Sequence, residues 1–175
     1  KFLMQYDVPF IKIPSAMMTN RELVVETAKT KKPIIISTGM SSLKEVDSAV
    51  DILTRHNDNF ILMHTNSSYP TPKDELNLAV IPMLKKRYGC VIGYSGHEKD
   101  LEPTVIAVAL GAKVIERHIT LSHDMWGTDQ KASLEVVAMD MLYKRIKDID
   151  LIIGSDQKVV TKSEVKVREK LRGKQ

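Results

Sequence analysis

Short β-branched runs alternate with helix-periodic stretches along this chain. The runs fall at residues 10–13, 34–36, 60–63, 91–92 and 114–115. Helices are expected between and after them, over residues 21–29, from Ser41 or Ser42 to about Arg55, over 78–87 and over 101–110. A continuous run such as Ile34-Ile35-Ile36 marks a strand buried on both faces. Strict β/α alternation calls for parallel strands joined by right-handed crossovers. The expected class is therefore α/β, with about five consecutive β/α units. They can close as a doubly wound open sheet or as the greater part of a TIM-type (β/α)8 barrel. No Gly-x-Gly-x-x-Gly follows any run, which weakens dinucleotide binding, and the hydroxyl-rich run ends favour the barrel.

Local punctuation supports these bounds. Thr19 or Asn20 can cap the first helix, Leu23, Val24 and Ala28 give it an apolar face, and Lys31-Lys32-Pro33 stops it. Val46, Ala49, Val50 and Leu53 line the buried side of the second. Residues 134–153 read as one long final helix, with Val137, Met141, Ile146 and Ile149 among its apolar positions. From Gly154 onward the pattern gives way to a charged tail.

The chain has 175 residues and is 43% hydrophobic, enough for one domain with a real core. Its net charge is +4, and much of the excess lies in Lys158, Lys162, Lys166, Arg168, Lys170, Arg172 and Lys174. No aromatic residue interleaves with these, so no nucleic-acid partner is expected, and a small phosphate or carboxylate suits the chain better than a polymer. The single cysteine, Cys90, excludes an intrachain disulfide and fits a reducing compartment. No apolar run is long enough to span a bilayer, so a cytoplasmic protein with no membrane partner is expected. The chain starts at Lys1 without a methionine and enters a strand-like run almost at once, as a part of a longer protein would.

The five run ends carry Lys12 and Ser15, Ser37 and Thr38, Ser67 and Tyr69, Ser95 and His97, and Glu116 and His118. Two readings stand side by side. The serines can simply cap helices, or, with Lys12 as a point charge, they and the helix N-termini can hold an anion. His97 and His118 lie one β/α repeat apart, so both fall at the carboxyl ends of adjacent strands. They can share a divalent ion such as Mn²⁺, with water or substrate in the remaining positions, although no third ligand is evident. His64 can equally satisfy a buried carbonyl, and His56 and His123 sit in polar contexts without an assigned role. Asp129 lies in a Gly-Thr-Asp turn, where aspartate is common for conformational reasons, or it contacts sugar hydroxyls or handles a proton. Glu116 can be a structural partner of Arg117, Trp126 can stack on a sugar or close a loop, and the nine methionines read as core fillers.

Several segments together resemble the sialic acid synthases, which include N-acetylneuraminate and related nonulosonate synthases. They are Lys-Ile-Pro-Ser at 12–15, Ser-Thr-Gly-Met at 37–40, His-Thr-Asn-Ser-Ser-Tyr-Pro at 64–70 and Gly-Tyr-Ser-Gly-His at 93–97. Ala-Leu-Gly-Ala-Lys-Val-Ile-Glu-Arg-His-Ile-Thr at 109–120 and Gly-Thr-Asp-Gln-Lys-Ala-Ser-Leu-Glu at 127–135 complete the set. The order and spacing match up to the tail. The resemblance implies that residues 1–154 are the C-terminal portion of a (β/α)8 synthase barrel, its fourth to eighth strands. It further implies that 155–175 are a charged linker toward a C-terminal domain, and that the full-length protein is a homodimer.

The implied reaction condenses phosphoenolpyruvate with the open-chain aldehyde of an N-acetylated sugar, typically N-acetylmannosamine, and releases phosphate. In the same terms His97 and His118 correspond to ligands of Mn²⁺ or Mg²⁺ and act in catalysis with Asp129. Lys12, Ser15, Ser37, Ser67 and Ser95 correspond to groups holding the phosphate and carboxylate, and Tyr69 and Asp129 to groups contacting the sugar. Two positions depart from the pattern. Met17 stands where many members have an acidic residue, and Gly96 stands where many have an aspartate that would orient the metal histidine. With the site completed by strands outside this segment, the segment alone is expected to lack synthase activity. The alternatives are another phosphoenolpyruvate-dependent sugar-acid synthase and a non-catalytic phosphate-ligand binding remnant.

Overall fold

The β-branched runs form five parallel strands: β1 (Ile11–Ile13), β2 (Ile34–Ser37), β3 (Phe60–Thr65), β4 (Val91–Gly96) and β5 (Val114–Arg117). The computed structural model describes residues 2–173, so Lys174 of the basic tail lies outside the described residues. Strand order in the sheet is β1-β2-β3-β4-β5, each strand beside its predecessor in sequence. A doubly wound sheet needs a reversal of strand order at its switch point. This sheet has none, and the five strands form an arc of a TIM-type barrel.

The intervening helices are α1 (Arg21–Lys29), α2 (Leu43–His56), α3 (Val80–Tyr88) and α4 (Glu102–Ala109). Asn20 caps α1 by accepting from the Leu23 N–H at 3.0 Å. Ser42 caps α2 in a capping box, with Glu45 accepting from the Ser42 backbone N–H at 2.7 Å. Both expected caps therefore form. Each cap satisfies the N–H of one residue in the first turn, Leu23 in α1 and Glu45 in α2.

Strand parity sorts the side chains. Ile13, Ile34, Ile36, Leu62, Ile92 and Tyr94 are fully or nearly fully buried and join Val24, Val46, Leu53, Ile81 and Leu84 of the helices in one core. Burying each such aliphatic side chain contributes about 1.5–3 kcal/mol. The methionines are not mainly core fillers: Met18 and Met63 are buried, whereas Met4, Met40, Met83, Met125 and Met141 are exposed.

The C-terminal third departs most from expectation. After β6 (Ile119–Thr120), a short β7 (Leu134–Glu135) pairs with it in parallel, where the start of a helix was expected. The expected single helix is two, α5 (Val136–Ile146) and α6 (Ile149–Ile153), with Asp148 between them out of helical geometry (φ −105°, ψ 4°). The turn buries Ile149 and sets Asp150 against Lys113 at 2.7 Å. In the tail, Thr161 and Glu164 form a capping box that starts a solvent-exposed helix α7 (Lys162–Arg172) within the segment expected as a charged linker. No helix among the described residues is long and apolar enough to cross a membrane.

Candidate active site

The β4–β5 pairing places Ser95 beside Glu116 and brings both strand ends level. His97 and His118 follow directly, and their rings meet edge to face with centroids 5.2 Å apart. Tyr69, from the loop after β3, stacks on His97 at 4.0 Å and presents an edge to His118 at 5.5 Å. Asp129 Oδ2 lies 3.7 Å from His118 Nδ1. Four residues singled out in the sequence thus converge above the strand ends.

His97 Nδ1 contacts the Asn66 carbonyl at 2.6 Å. A carbonyl only accepts, so Nδ1 carries the proton and Nε2 keeps its lone pair. Burial pushes the His97 pKa below its ordinary value, outweighing the Asn66 hydrogen bond, which acts the other way. A neutral imidazole with a free Nε2 is the form a metal ion requires. Among the described residues no three His, Cys, Asp or Glu side chains are placed to hold a metal. The chemistry of the pair, two imidazoles side by side with one Nε2 free, is compatible with a divalent ion that takes its remaining ligands from water or substrate.

Below the histidines, on the inner face, Lys12 of β1 reaches across the arc to Glu116 of β5, with Nζ 2.8 and 2.7 Å from its two carboxylate oxygens. Ser95 donates to the same carboxylate at 2.8 Å. Burial raises the Glu116 pKa, but the Lys12 and Ser95 hydrogen bonds outweigh it and hold the carboxyl below its ordinary value. Glu116 is thus the partner of Lys12, not of Arg117. On one strand residues 116 and 117 face opposite sides, and that parity could have excluded the pairing from sequence alone.

The hydroxyls form a third group. Gly39 N–H donates to Ser15 Oγ at 3.1 Å. A Cβ on Gly39 would stand 2.3 Å from Ser67 Oγ and 2.8 Å from Ser15 Oγ, so both serines close on this glycine. Ser37 is buried at the end of β2. A cavity of about 550 Å³ is lined by Ser67 of this group, by Asn66 and by His64, Val46 and Leu84, and neither His97 nor His118 lines it. His64 lines it and donates to the Leu76 carbonyl at 2.8 Å, the structural role expected of it. The Trp126 side chain is 98% exposed, and its carbonyl accepts from Gln130 Nε2 at 3.3 Å. Met17 packs partly buried against the core.

One group escaped the sequence reading. Glu98 and Arg117 form an ion pair at 2.9 Å, each side chain 1% exposed, on the outer side of the strands. Tyr94 donates to Glu98 at 2.8 Å, and Thr104 of α4 donates to it at 3.1 Å. Glu98 stands in a Glu-Lys-Asp run that reads as a solvated loop, whereas the parity of Arg117 was a usable signal.

A family model described as the NeuB family matches residues 1–158. The N,N'-diacetyllegionaminic acid synthase of Campylobacter jejuni is 39% identical over 167 residues, covering 94% of this chain and 50% of that protein. The human N-acetylneuraminate-9-phosphate synthase is 38% identical over 172 residues, covering 98% of this chain and 48% of that protein. The crystal structure of an N-acetylneuraminic acid (sialic acid) synthetase from Leptospira borgpetersenii, in complex with citrate, superposes with a TM-score of 0.88 at 34% identity. That match covers 98% of this chain and 61% of the other. The chain therefore spans about half the length of the two relatives.

Proposed function

The chain belongs to the NeuB family, and on that premise we propose that it carries the metal-binding and phosphate-binding half of a nonulosonic acid synthase site. Residues 1–154 form the C-terminal portion of the catalytic barrel, and 155–175, with α7, connect to a further domain. The observation that carries the proposal is the convergence of His97, His118, Tyr69 and Asp129 above the Lys12–Glu116–Ser95 group.

In the proposed reaction C3 of phosphoenolpyruvate bonds to the aldehyde carbon of an N-acetylated aldose, and the aldehyde oxygen takes up a proton. Water adds at C2 and loses a proton, and the C2–O bond to phosphate then breaks to leave the ketone. Lys12 and the hydroxyls of Ser15, Ser37, Ser67 and Ser95 hold the phosphate and carboxylate. Lys12 is pre-aimed into the barrel by Glu116, so an incoming anion competes with that carboxylate for the ammonium. His97 through Nε2, together with His118, would hold Mn²⁺ or Mg²⁺. Such an ion supplies Lewis acidity toward the aldehyde oxygen. Tyr69 walls the histidines against bulk water and faces the sugar. Asp129 lies close enough to His118 to accept a hydrogen bond from a sugar hydroxyl beside it, or to exchange a proton there.

The two relatives are named for different products, one of them a 9-phosphate, at nearly equal identity. We propose an N-acetylated aldose such as N-acetylmannosamine as the acceptor class, and the two names support both a free and a phosphorylated form. Met17 faces the core and supplies no carboxylate to it. The remaining barrel strands complete the site, so the 175-residue chain binds without turning over.

Calorimetric titration of the chain with phosphoenolpyruvate, with and without Mn²⁺, tests this. Binding is expected to weaken by about tenfold or more in Lys12→Met, the loss of one charge-assisted contact. Binding unaffected by Lys12→Met would refute the phosphate site. Turnover of phosphoenolpyruvate and N-acetylmannosamine by the isolated chain would refute its incompleteness.

A further inference from the structure

The buried Glu98–Arg117 pair has no place in the chemistry above, and its position relative to the histidines is specific. Glu98 follows His97 in sequence and Arg117 precedes His118. Each histidine thus stands on the inner side of a backbone segment whose neighbouring residue is clamped on the outer side.

The clamp is dense. Arg117 Nη1 donates to Glu98 Oε1 at 2.9 Å, to Thr104 Oγ1 at 2.8 Å and to the Asp100 carbonyl at 3.3 Å, and Nη2 donates to the Glu98 carbonyl. Thr104 donates to the same Oε1, and Tyr94 donates to Oε2. These contacts tie three pieces together: the strand end of β5, the turn leaving β4, and the first turns of α4. Room for the carboxylate exists because residue 96 is glycine. A Cβ there would lie 2.6 Å from Glu98 Oε2 and 2.8 Å from Tyr94 Cε1. Gly96, which from sequence alone suggested a lost acidic group, is thus the opening that admits an acid from two residues further on.

Such a pair is a poor source of stability. Desolvating two charges offsets most of their attraction, and well-packed apolar side chains of similar volume commonly serve a core as well or better. Arg117 Nε adds to the cost, being buried without a hydrogen-bond partner among the described residues. What the pair does supply is directional geometry between two strand ends, and two imidazoles that share an ion tolerate little displacement.

We propose that Glu98 and Arg117 are positioning residues that fix the separation of His97 and His118, and that Gly96 is required to seat them. The proposal rests on the metal reading above for its catalytic consequence, but not for its geometry.

The test uses two variants of the chain, Glu98→Gln and the double variant Glu98→Leu/Arg117→Met. The single variant strands a buried cation and can fail to fold, whereas the double variant removes both charges and is expected to unfold cooperatively, as the parent does. Two readouts follow: cross-ring nuclear Overhauser contacts between His97 and His118 without metal, and Mn²⁺ affinity from electron paramagnetic resonance. The double variant is expected to lose the His97–His118 contact and to bind Mn²⁺ about tenfold or more weakly, as outer supports of metal histidines commonly do. A folded double variant that keeps the ring contact overturns the proposal, whatever the metal does. If the parent binds no Mn²⁺, the metal reading fails while the ring contacts still decide the positioning role.

Discussion

Replacing Gly39 with alanine tests the anion site through packing alone, without altering any polar group. The new methyl would stand 2.3 Å from Ser67 Oγ, 2.8 Å from Ser15 Oγ and 2.9 Å from the Thr65 methyl. Unbonded heavy atoms of this kind settle at about 3.5 Å or more, so the overlap reaches about 1 Å. The Ser67 hydroxyl can rotate away, but Ser15 is held by the Gly39 N–H and Thr65 is buried on β3. Overpacking of this kind costs about 1–3 kcal/mol of stability. Displacing one serine from a charged ligand costs about 1.5–3 kcal/mol of binding, or roughly ten- to hundredfold in affinity. Urea unfolding and calorimetric titration with phosphoenolpyruvate read the two effects separately. Adding Ser67→Ala removes the closest contact, so the double variant is expected to regain part of the stability and none of the affinity. A cooperatively folded Gly39→Ala chain that binds phosphoenolpyruvate like the parent would refute the convergence of Ser15 and Ser67 on a ligand.

Four further outcomes follow from particular contacts. Burial depresses the pKa of His64 below 6.5 and depresses His97 likewise. As pH falls through the ordinary histidine range, the unfolded chain binds protons that the folded chain refuses. Stability is therefore full above the unfolded value and lost below it, by up to about 1.4 kcal/mol per pH unit for each histidine. His64→Gln should flatten the melting-temperature profile between about pH 7 and 5, and an unchanged slope would contradict this. In Lys12→Met, burial is left opposed by the Ser95 hydrogen bond and the nearby His118 alone, so the Glu116 carboxyl should titrate at higher pH by ¹³C NMR; an unmoved titration would dissociate the two. At Gly93 an added Cβ would lie 2.2 Å from Met63 Sδ and 2.6 Å from the Val114 carbonyl, so Gly93→Ala should cost at least about 1–3 kcal/mol in urea unfolding. Trp126→Ala should shift stability by less than about 0.5 kcal/mol, since the indole is 98% exposed, and a larger loss would mean that it packs in solution.

Elements whose pattern repeats were legible in the sequence. Each buried strand announced itself by a β-branched run, and α1 and α2 by their caps, because those signals are local. The break at Asp148 was not legible, since no glycine or proline marks it and the contacts beside it, the burial of Ile149 and the Asp150–Lys113 pair, are tertiary. β7 has two residues, too few for any period. The box of Thr161 and Glu164 was a readable helix signal that the surrounding charge obscured. In the site, the histidine pair was legible because one β/α repeat places both rings on the same face. The Lys12–Glu116 contact joins residues 104 apart and depends on the curvature of the arc, which no local pattern encodes. The burial of Glu98 depends on the absent side chain of Gly96, a relation visible only in three dimensions.

The most direct test of the proposed half-site is anomalous diffraction at the manganese edge from crystals of the chain grown with Mn²⁺ and phosphoenolpyruvate. The expected result is one manganese peak between His97 Nε2 and the His118 ring, with the phosphate of the ligand against Lys12, Ser15 and Ser67. Manganese bound elsewhere with the two histidines bare, or a ligand phosphate seated away from Lys12, would contradict the assignment.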